Sequence, residues 1–488
     1  MTAVDRAQVL VIGSGAGGAV TGLELAGAGA DVLLLEEGDR HETCEYGRPA
    51  PEAMRTLYRR RGMTPIIGTV PIGYVEGRCL GGSTEINSGF WHRTPPEILL
   101  RWKAQFDLAD AAPSELERHF EWAEQQLSVG LYHAAWPPAT QRMHDGIERM
   151  GWSAMEVPRV VAACECRQPC ASGCSTGAKQ TMSRAILPKA EAAGVRIATG
   201  TRVTRLIIEN RRIRGAHVVQ RRNDGSETSG RIEAEYVFVC CGPTETPALL
   251  RRSGIRDHVG ATLTIHPMLK IAARFPEPVY ADRTPIPLLQ VKEFWPEITL
   301  GGSFFSAGHL AMHLSENWPA LGDRMRDRDR IALFHVAVRG TGRGSVTTGW
   351  LGADSTDIRY ELSDEDVRNL SRATARLSAL LLEAGADEVY PGVHGLPTIS
   401  SATESIRWLD ERLPRRSLSL TTVHAFSTCP MGQRRSRTAA DSYGKVHGYE
   451  NLYINDASML PDSPGVNPQG SVMGFARRNA LCFAATLR

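Results

Sequence analysis

The sequence predicts a mixed α/β protein. A doubly wound, parallel-sheet domain is assembled from distant stretches of chain, and a second domain of β-sheet with flanking helices is inserted between them. Three observations carry this expectation. The chain opens on a strand, a glycine-rich turn, a helix and a second strand; short, wholly apolar strands recur near residues 238 and 453; and the stretches between them have a different texture. With 488 residues the chain is too long for one simple core and suits two domains.

Taken in order, Val9-Leu10-Val11-Ile12 is a continuous apolar run of the kind buried in a parallel sheet, and the pattern from Ala16 to Ala28 is helical. Asp31 to Glu36 is the second strand and closes a βαβ unit. Residues 96 to 150 read as helices, with Pro113-Ser114 opening a long polar one. From Val195 to Cys241 the texture changes to short β segments, with a hairpin turn at Asn223-Asp224-Gly225 and a buried strand at Tyr236 to Cys240. Residues 262 to 415 mix strands and helices, and Ser363 with Asp366 caps a helix running to about Leu382. Leu452-Tyr453-Ile454 is a last strand, followed by a turn-rich loop and a helix. The expected division is 1–95, 180–262 and 416–488 for the first domain, with 96–179 and 263–415 for the second.

Composition narrows the function. Apolar residues make up 42% and charged residues 23%, as in ordinary globular proteins. The net charge of +2 gives no excess field to draw nucleic acid or anionic lipid. Arginine accounts for 50 of the 56 basic residues, but it is spread along the whole chain rather than gathered into a nucleic-acid-binding face. No apolar run is long enough to span a membrane, and the first residues lack a secretory pattern, so a cytoplasmic location is expected.

The turn Gly13-Ser14-Gly15-Ala16-Gly17-Gly18 fits G-x-G-x-x-G. Gly13 permits the tight turn, Gly15 lets backbone approach a pyrophosphate, and Gly18 lets the helix pack on the strand. The helix N-terminus then offers unpaired N–H groups and the positive end of its dipole to phosphates. Glu36 ends the second strand, where a carboxylate can accept hydrogen bonds from ribose hydroxyls. This is a dinucleotide site, and by itself it does not separate FAD from NAD.

Four further segments separate them. Gly77-Arg78-Cys79-Leu80-Gly81-Gly82-Ser83-Thr84, with Asn87 and Arg93 beyond it, resembles the first signature of the glucose–methanol–choline (GMC) oxidoreductases. Gly242 to Gly254 resembles the second signature, His424 to Gly432 the histidine segment, and Asn455 to Pro468 the segment that closes over the isoalloxazine. The resemblance implies FAD, a Rossmann-like FAD domain in separate pieces, and a substrate domain. It places Arg78, Gly82, Ser83 and Asn87 along the flavin and pyrophosphate, Val203 at the adenine, and Asp456 and Ala457 near the ribityl chain. Some relatives attach FAD through a histidine in the first signature. Here Ile86 precedes Asn87 and no histidine lies from Gly77 to Gly89, so non-covalent FAD is expected. Ser427 stands where the histidine segment usually has glycine, and Ala425 where proline is frequent.

Oxidising an alcohol removes a hydride and a hydroxyl proton, and histidine suits the proton's acceptor. By the resemblance His424 is that base and Asn467 the second active-site residue, whose amide can orient the alcohol oxygen. The final acceptor is then oxygen or an electron-accepting protein. Glu85, with Asn87 and His92 nearby, suggests a polar and cationic substrate, and the chain also resembles family members that oxidise the 6′-hydroxymethyl of an amino sugar in aminoglycoside pathways. Other sugars, sterols and long-chain alcohols stay open as substrates. A redox-neutral or non-catalytic FAD-binding protein is the alternative of another class.

Cys164, Cys166, Cys170 and Cys174 crowd one short loop. Thiolates this close can hold an iron–sulfur cluster or zinc, and they can equally be structural thiols or a disulfide. The loop resembles that of bacterial FAD-dependent sugar dehydrogenases carrying an iron–sulfur cluster, which would pass electrons singly to a protein acceptor.

Overall fold

The structure is a computed structural model that describes residues 5–47, 49–131, 135–164, 170–222, 224–350, 352 and 355–487. Its first sheet has seven strands. Arg196–Ala198, Val32–Leu35, Asp5–Ile12 and Glu227–Val239 lie side by side and parallel, and Leu452–Ile454 continues the parallel order beyond the last three residues of Glu227–Val239. The other end of that long strand turns antiparallel to Arg212–Arg221, which pairs in turn with Thr201–Glu209. The hairpin expected at residues 223–225 therefore joins Arg212–Arg221 to Glu227–Val239, with Gly225 in the left-handed region at φ +83°.

Both faces of this sheet are covered, as runs such as Val32–Leu35, buried at every position, require. On one face Val9, Val11 and Leu34 pack with Val20 and Leu25 of the helix Ala16–Gly27 and with Phe483 of the helix Gln469–Ala484. On the other, Leu10, Leu33 and Val237 pack with Trp102, Leu116 and Phe475. Helices Pro96–Phe106 and Pro113–Gln126, expected in the inserted domain, thus share the core of the first sheet.

The second sheet has nine strands, in the order Thr64–Ile66, Ile72–Tyr74, Leu420–Thr422, Met268–Arg274, Ile331–Val338, Ile298–Gly302, Leu289–Val291 and Ala154–Glu156, with Glu388–Tyr390 also paired to Met268–Arg274. The helix Asp364–Glu383 packs against it through Leu370, Leu377 and Leu381, and its start is closed by reciprocal bonds between Ser363 and Asp366. Three of these strands depart from the expected division. Thr64–Ile66, Ile72–Tyr74 and Leu420–Thr422 fall by position in the first domain, yet all three hydrogen-bond into the second sheet. Their pairing brings the segment before His424 to the seam between the sheets.

Candidate active site

One cavity of about 460 Å³ runs from the glycine turn to His424 and Asn467. At its first end the turn Gly13 to Gly17 forms the wall. A side chain at Gly15 would meet no atom, so bare backbone faces the space, and the same is true of Gly242 across the cavity. Gly17 and Gly18 have the opposite role. A β-carbon on Gly17 would lie 1.8 Å from the Asn455 carbonyl oxygen, and one on Gly18 1.9 Å from that of Gly13. The helix Ala16–Gly27 begins with no side-chain cap and no acid in its first turn, leaving its N–H groups directed at the cavity. Backbone donors facing an open channel beside a carboxylate fit the pyrophosphate and ribose of a dinucleotide.

Glu36 lines this end and is tied down there. Its carboxylate accepts from the Ser14 N–H at 3.1 Å, the Ser14 hydroxyl at 2.6 Å and the Gly38 N–H at 2.9 Å. Burial raises its pKa, and those hydrogen bonds act against the rise. Gly82, Ser83, Asn87, Val203, Asp456 and Ala457 also line the cavity. Asp456 accepts from the Gly242 N–H at 2.9 Å and from Ser458 at 2.7 Å, which fixes the start of the helix Gly242–Arg252. Arg78 does not line it; its guanidinium stands 3.3 Å from Glu37 at the margin.

At the other end His424 and His266 are set side by side by the short pairing of Thr264–Ile265 with Ala425–Phe426. Their Nδ1 atoms are 3.0 Å apart, and Nε2 of His266 is 2.6 Å from the Ser463 hydroxyl. The Asn467 amide nitrogen is 3.3 Å from Nε2 of His424. The direction of this chain follows from its far end, because an ammonium only donates. Lys292 donates to Oε1 of Gln290 at 3.0 Å, so the Gln290 amide donates to Oδ1 of Asn467 at 3.3 Å, and the Asn467 amide points its N–H groups at His424. Nε2 of His424 then carries the lone pair and Nδ1 carries the proton, donated to His266. This tautomer makes Nε2, shared with the Asn467 amide on the cavity wall, the atom that can take a proton. Burial, and after it the charge of Lys270, lower the His424 pKa to about 3, so the ring is neutral. His92 is buried nearby, its pKa also lowered to about 3 by burial and then by Lys292 and His424.

Two expected site groups are placed elsewhere. Glu85 is buried and its side chain lies off the cavity, bonded to the Tyr46 hydroxyl at 2.9 Å and the Ser183 hydroxyl at 2.8 Å. A carboxylate satisfied in this way is part of the loop's own framework and does not receive substrate. Of the cysteines, Cys166 lies outside the described residues. Cys170 accepts from Arg159 at 3.2 Å, and Cys174 accepts from the Lys179 N–H at 3.4 Å. Cys170 and Cys174 are free thiols, and among the described residues no three His, Cys, Asp or Glu side chains converge as a metal-binding group. The loop is held by Lys179 instead, whose buried ammonium donates to the carbonyls of Glu85, Asn87 and Cys170 at 2.7, 3.0 and 3.0 Å. Sequence reading also missed Lys270, Gln290, Lys292 and His266, none of which belongs to a contiguous motif.

A doubly wound domain with an uncapped glycine turn, joined by one cavity to a His–Asn pair on a second sheet, defines a dinucleotide-dependent oxidoreductase. The chain belongs to the GMC oxidoreductase family, whose N-terminal part matches residues 8–268 and whose C-terminal part matches residues 341–476. It is an FAD-dependent oxidoreductase of CH–OH donors. It is 37% identical over 477 residues to a GMC-type oxidoreductase of Sinorhizobium fredii, covering 97% of this chain and 94% of that one. It is 25% identical over 536 residues to the paromamine 6'-oxidase of Streptomyces fradiae, covering 98% and 92%. In fold it is similar to the crystal structure of a pyridoxine 4-oxidase from Mesorbium loti, with a TM-score of 0.74, 18% identity and 99% of each chain covered. No helix among the described residues is long and apolar enough to cross a membrane.

Proposed function

We propose that this chain oxidises a polar alcohol to the carbonyl compound, with non-covalently held FAD, His424 as the base and Asn467 as the group that orients the hydroxyl. The observation that carries this reading is the direction of the hydrogen-bond chain at His424, which leaves Nε2 unprotonated beside the Asn467 amide on the cavity wall. Bound FAD supplies the hydride acceptor. The alcohol's hydroxyl proton passes to Nε2 of His424, and His266 accepts a hydrogen bond from the Nδ1–H, which steadies the imidazolium as it forms. Asn467 donates to the alcohol oxygen and holds its C–H toward the flavin side of the cavity.

The amino-sugar substrate expected from the sequence is supported by the likeness to paromamine 6'-oxidase. It is not supported by the cavity, because Glu85 is turned away and, among the described residues, no carboxylate acts on Lys270 or His424. The substrate is therefore read as a polar alcohol without an ammonium group. Glu85 and the cysteines give no reason to add an iron–sulfur cluster, and oxygen is the simpler final acceptor.

Substituting His424→Ala is expected to lower turnover roughly 10²–10⁴-fold while the purified protein keeps its flavin. Asn467→Ala is expected to lower it roughly 10²-fold. Anaerobic flavin reduction by a panel of alcohols measures both, and peroxide formation in air tests oxygen as acceptor. Full-rate flavin reduction in the His424→Ala protein removes the base from this reading.

A further inference from the structure

The wall of the cavity opposite the flavin end is one face of the second sheet. Strand register puts Gln290 opposite Gly301, Gly301 opposite His335, and His335 opposite Lys270, so these four positions form a row across four strands. Residues paired across neighbouring strands project to the same side. Gln290 sits at the Asn467 end of this row, bonded to that amide, and Lys270 sits at the far end on the cavity wall. A β-carbon on Gly301 would lie 3.0 Å from the His335 ring and 3.2 Å from the Gln290 side chain, so those two side chains close over the middle of the row and Lys270 is its member on the cavity wall.

Lys270 is the unusual member. Its ammonium donates to the Ser303 hydroxyl at 2.7 Å. Its charge, after burial, lowers the pKa of His309, and burial and Lys270 contribute to lowering those of His313, His335 and His424 to about 4, 3 and 3. Among the described residues lining the cavity, the carboxylates are committed elsewhere. Glu36 is bonded to the glycine turn, Glu37 is paired with Arg59 and Arg78, Glu76 and Glu245 are paired with Arg59, and Asp456 is bonded to the Gly242 turn. Burial alone lowers the Lys270 pKa to about 8, with no anion offsetting it. A cation kept in a cavity without a counter-charge is a costly arrangement unless a ligand supplies that charge.

We infer that Lys270 is the anchor for an anionic group on the substrate, so that this chain acts on alcohols that also carry a carboxylate or a phosphate. The inference rests on the reading above, in which the alcohol carbon lies at His424. The anion sits against Lys270 and Ser303 and the hydroxyl against His424 and Asn467, all four of which line the same cavity.

The test compares glycerol, glycerate and glycerol phosphate as reductants of the holoenzyme, in wild type, Lys270→Met and Lys270→Arg. A second readout needs no turnover: titration of the flavin absorbance with acetate and with inorganic phosphate. Expected is a kcat/KM for glycerate or for glycerol phosphate roughly thirtyfold or more above that of glycerol, with this ratio lost through KM in Lys270→Met and largely kept in Lys270→Arg. Preference for glycerate identifies a carboxylate, and preference for glycerol phosphate a phosphate. If both anionic alcohols are no better than glycerol and neither anion perturbs the wild-type flavin, the anchor is overturned while alcohol oxidation stands. If no alcohol reduces the flavin but an anion perturbs its spectrum in wild type and not in Lys270→Met, the anchor stands and the proposed reaction falls.

Discussion

Ser427 holds a backbone conformation that most residues avoid, with φ at +66°. In this chain the strain of a left-handed serine is offset by its buried hydroxyl, which lies 2.9 Å from the Leu460 carbonyl and 2.6 Å from that of Pro461. Ser427→Ala keeps the strain and loses the bonds, so it is expected to cost about 1–3 kcal/mol in chemical denaturation. Ser427→Gly loses the bonds and the strain together and should fall nearer to wild type. Equal stability of the two variants would remove this account. Lys270 carries a prediction of another kind. It is cationic below its pKa of about 8 and neutral above it, and the histidines around it, His309, His313, His335 and His424, are already neutral there. The KM for an anionic alcohol should therefore rise as pH climbs through about 8, while that for a neutral alcohol does not follow. The two kinds of residue differ in how they could be read. His424 and Asn467 ride on unbroken motifs and were legible. Lys270, Gln290 and Lys292 meet the site only through strand register, which a sequence without its pairings does not display.

At the scale of elements, the glycine turn was legible because each position answers a local demand. Gly17 and Gly18 let the helix Ala16–Gly27 lie directly on the backbone of Asn455 and Gly13. Gly17→Ala drives a methyl into the Asn455 carbonyl, and is expected to destabilise the fold by about 1–3 kcal/mol and weaken flavin retention. Thermal melts of apo- and holoprotein measure both effects; an unchanged melt would show that the helix can shift without cost. The strand Val32–Leu35 and the run Val9 to Ile12 beside it were legible for a similar local reason, since both are apolar at every position. The three-residue strands Thr64–Ile66, Ile72–Tyr74 and Leu420–Thr422 were not, because so short a segment carries no period, and its sheet is chosen by its neighbours. The cysteine loop misled for a chemical reason. Crowded thiols look the same in sequence whether they bind a metal or accept hydrogen bonds, and here Arg159 and Lys179 supply the donors to Cys170 and Cys174.

At the scale of the molecule, the parts of the site are dispersed along the chain and brought together by the seam between two sheets. The strand Asp5–Ile12 takes its neighbour from residues 232–239, and that strand is completed by Leu452–Ile454. Asn455 then bonds to Thr21, to the Ala476 carbonyl and to Asn479, fastening the last helix to the first. During synthesis this order has a consequence. A ribosome that has released the glycine turn, its helix and both early strands has not yet made the residues that close them. The nascent first half must carry exposed apolar strand edges for most of the time taken to translate the chain, the circumstance in which chaperones are recruited. The cavity that would receive flavin is lined by residues from Ile12 to Val472, so its wall is complete only once the last helix has begun, and a ligand that binds the closed form alone would stabilise that closure.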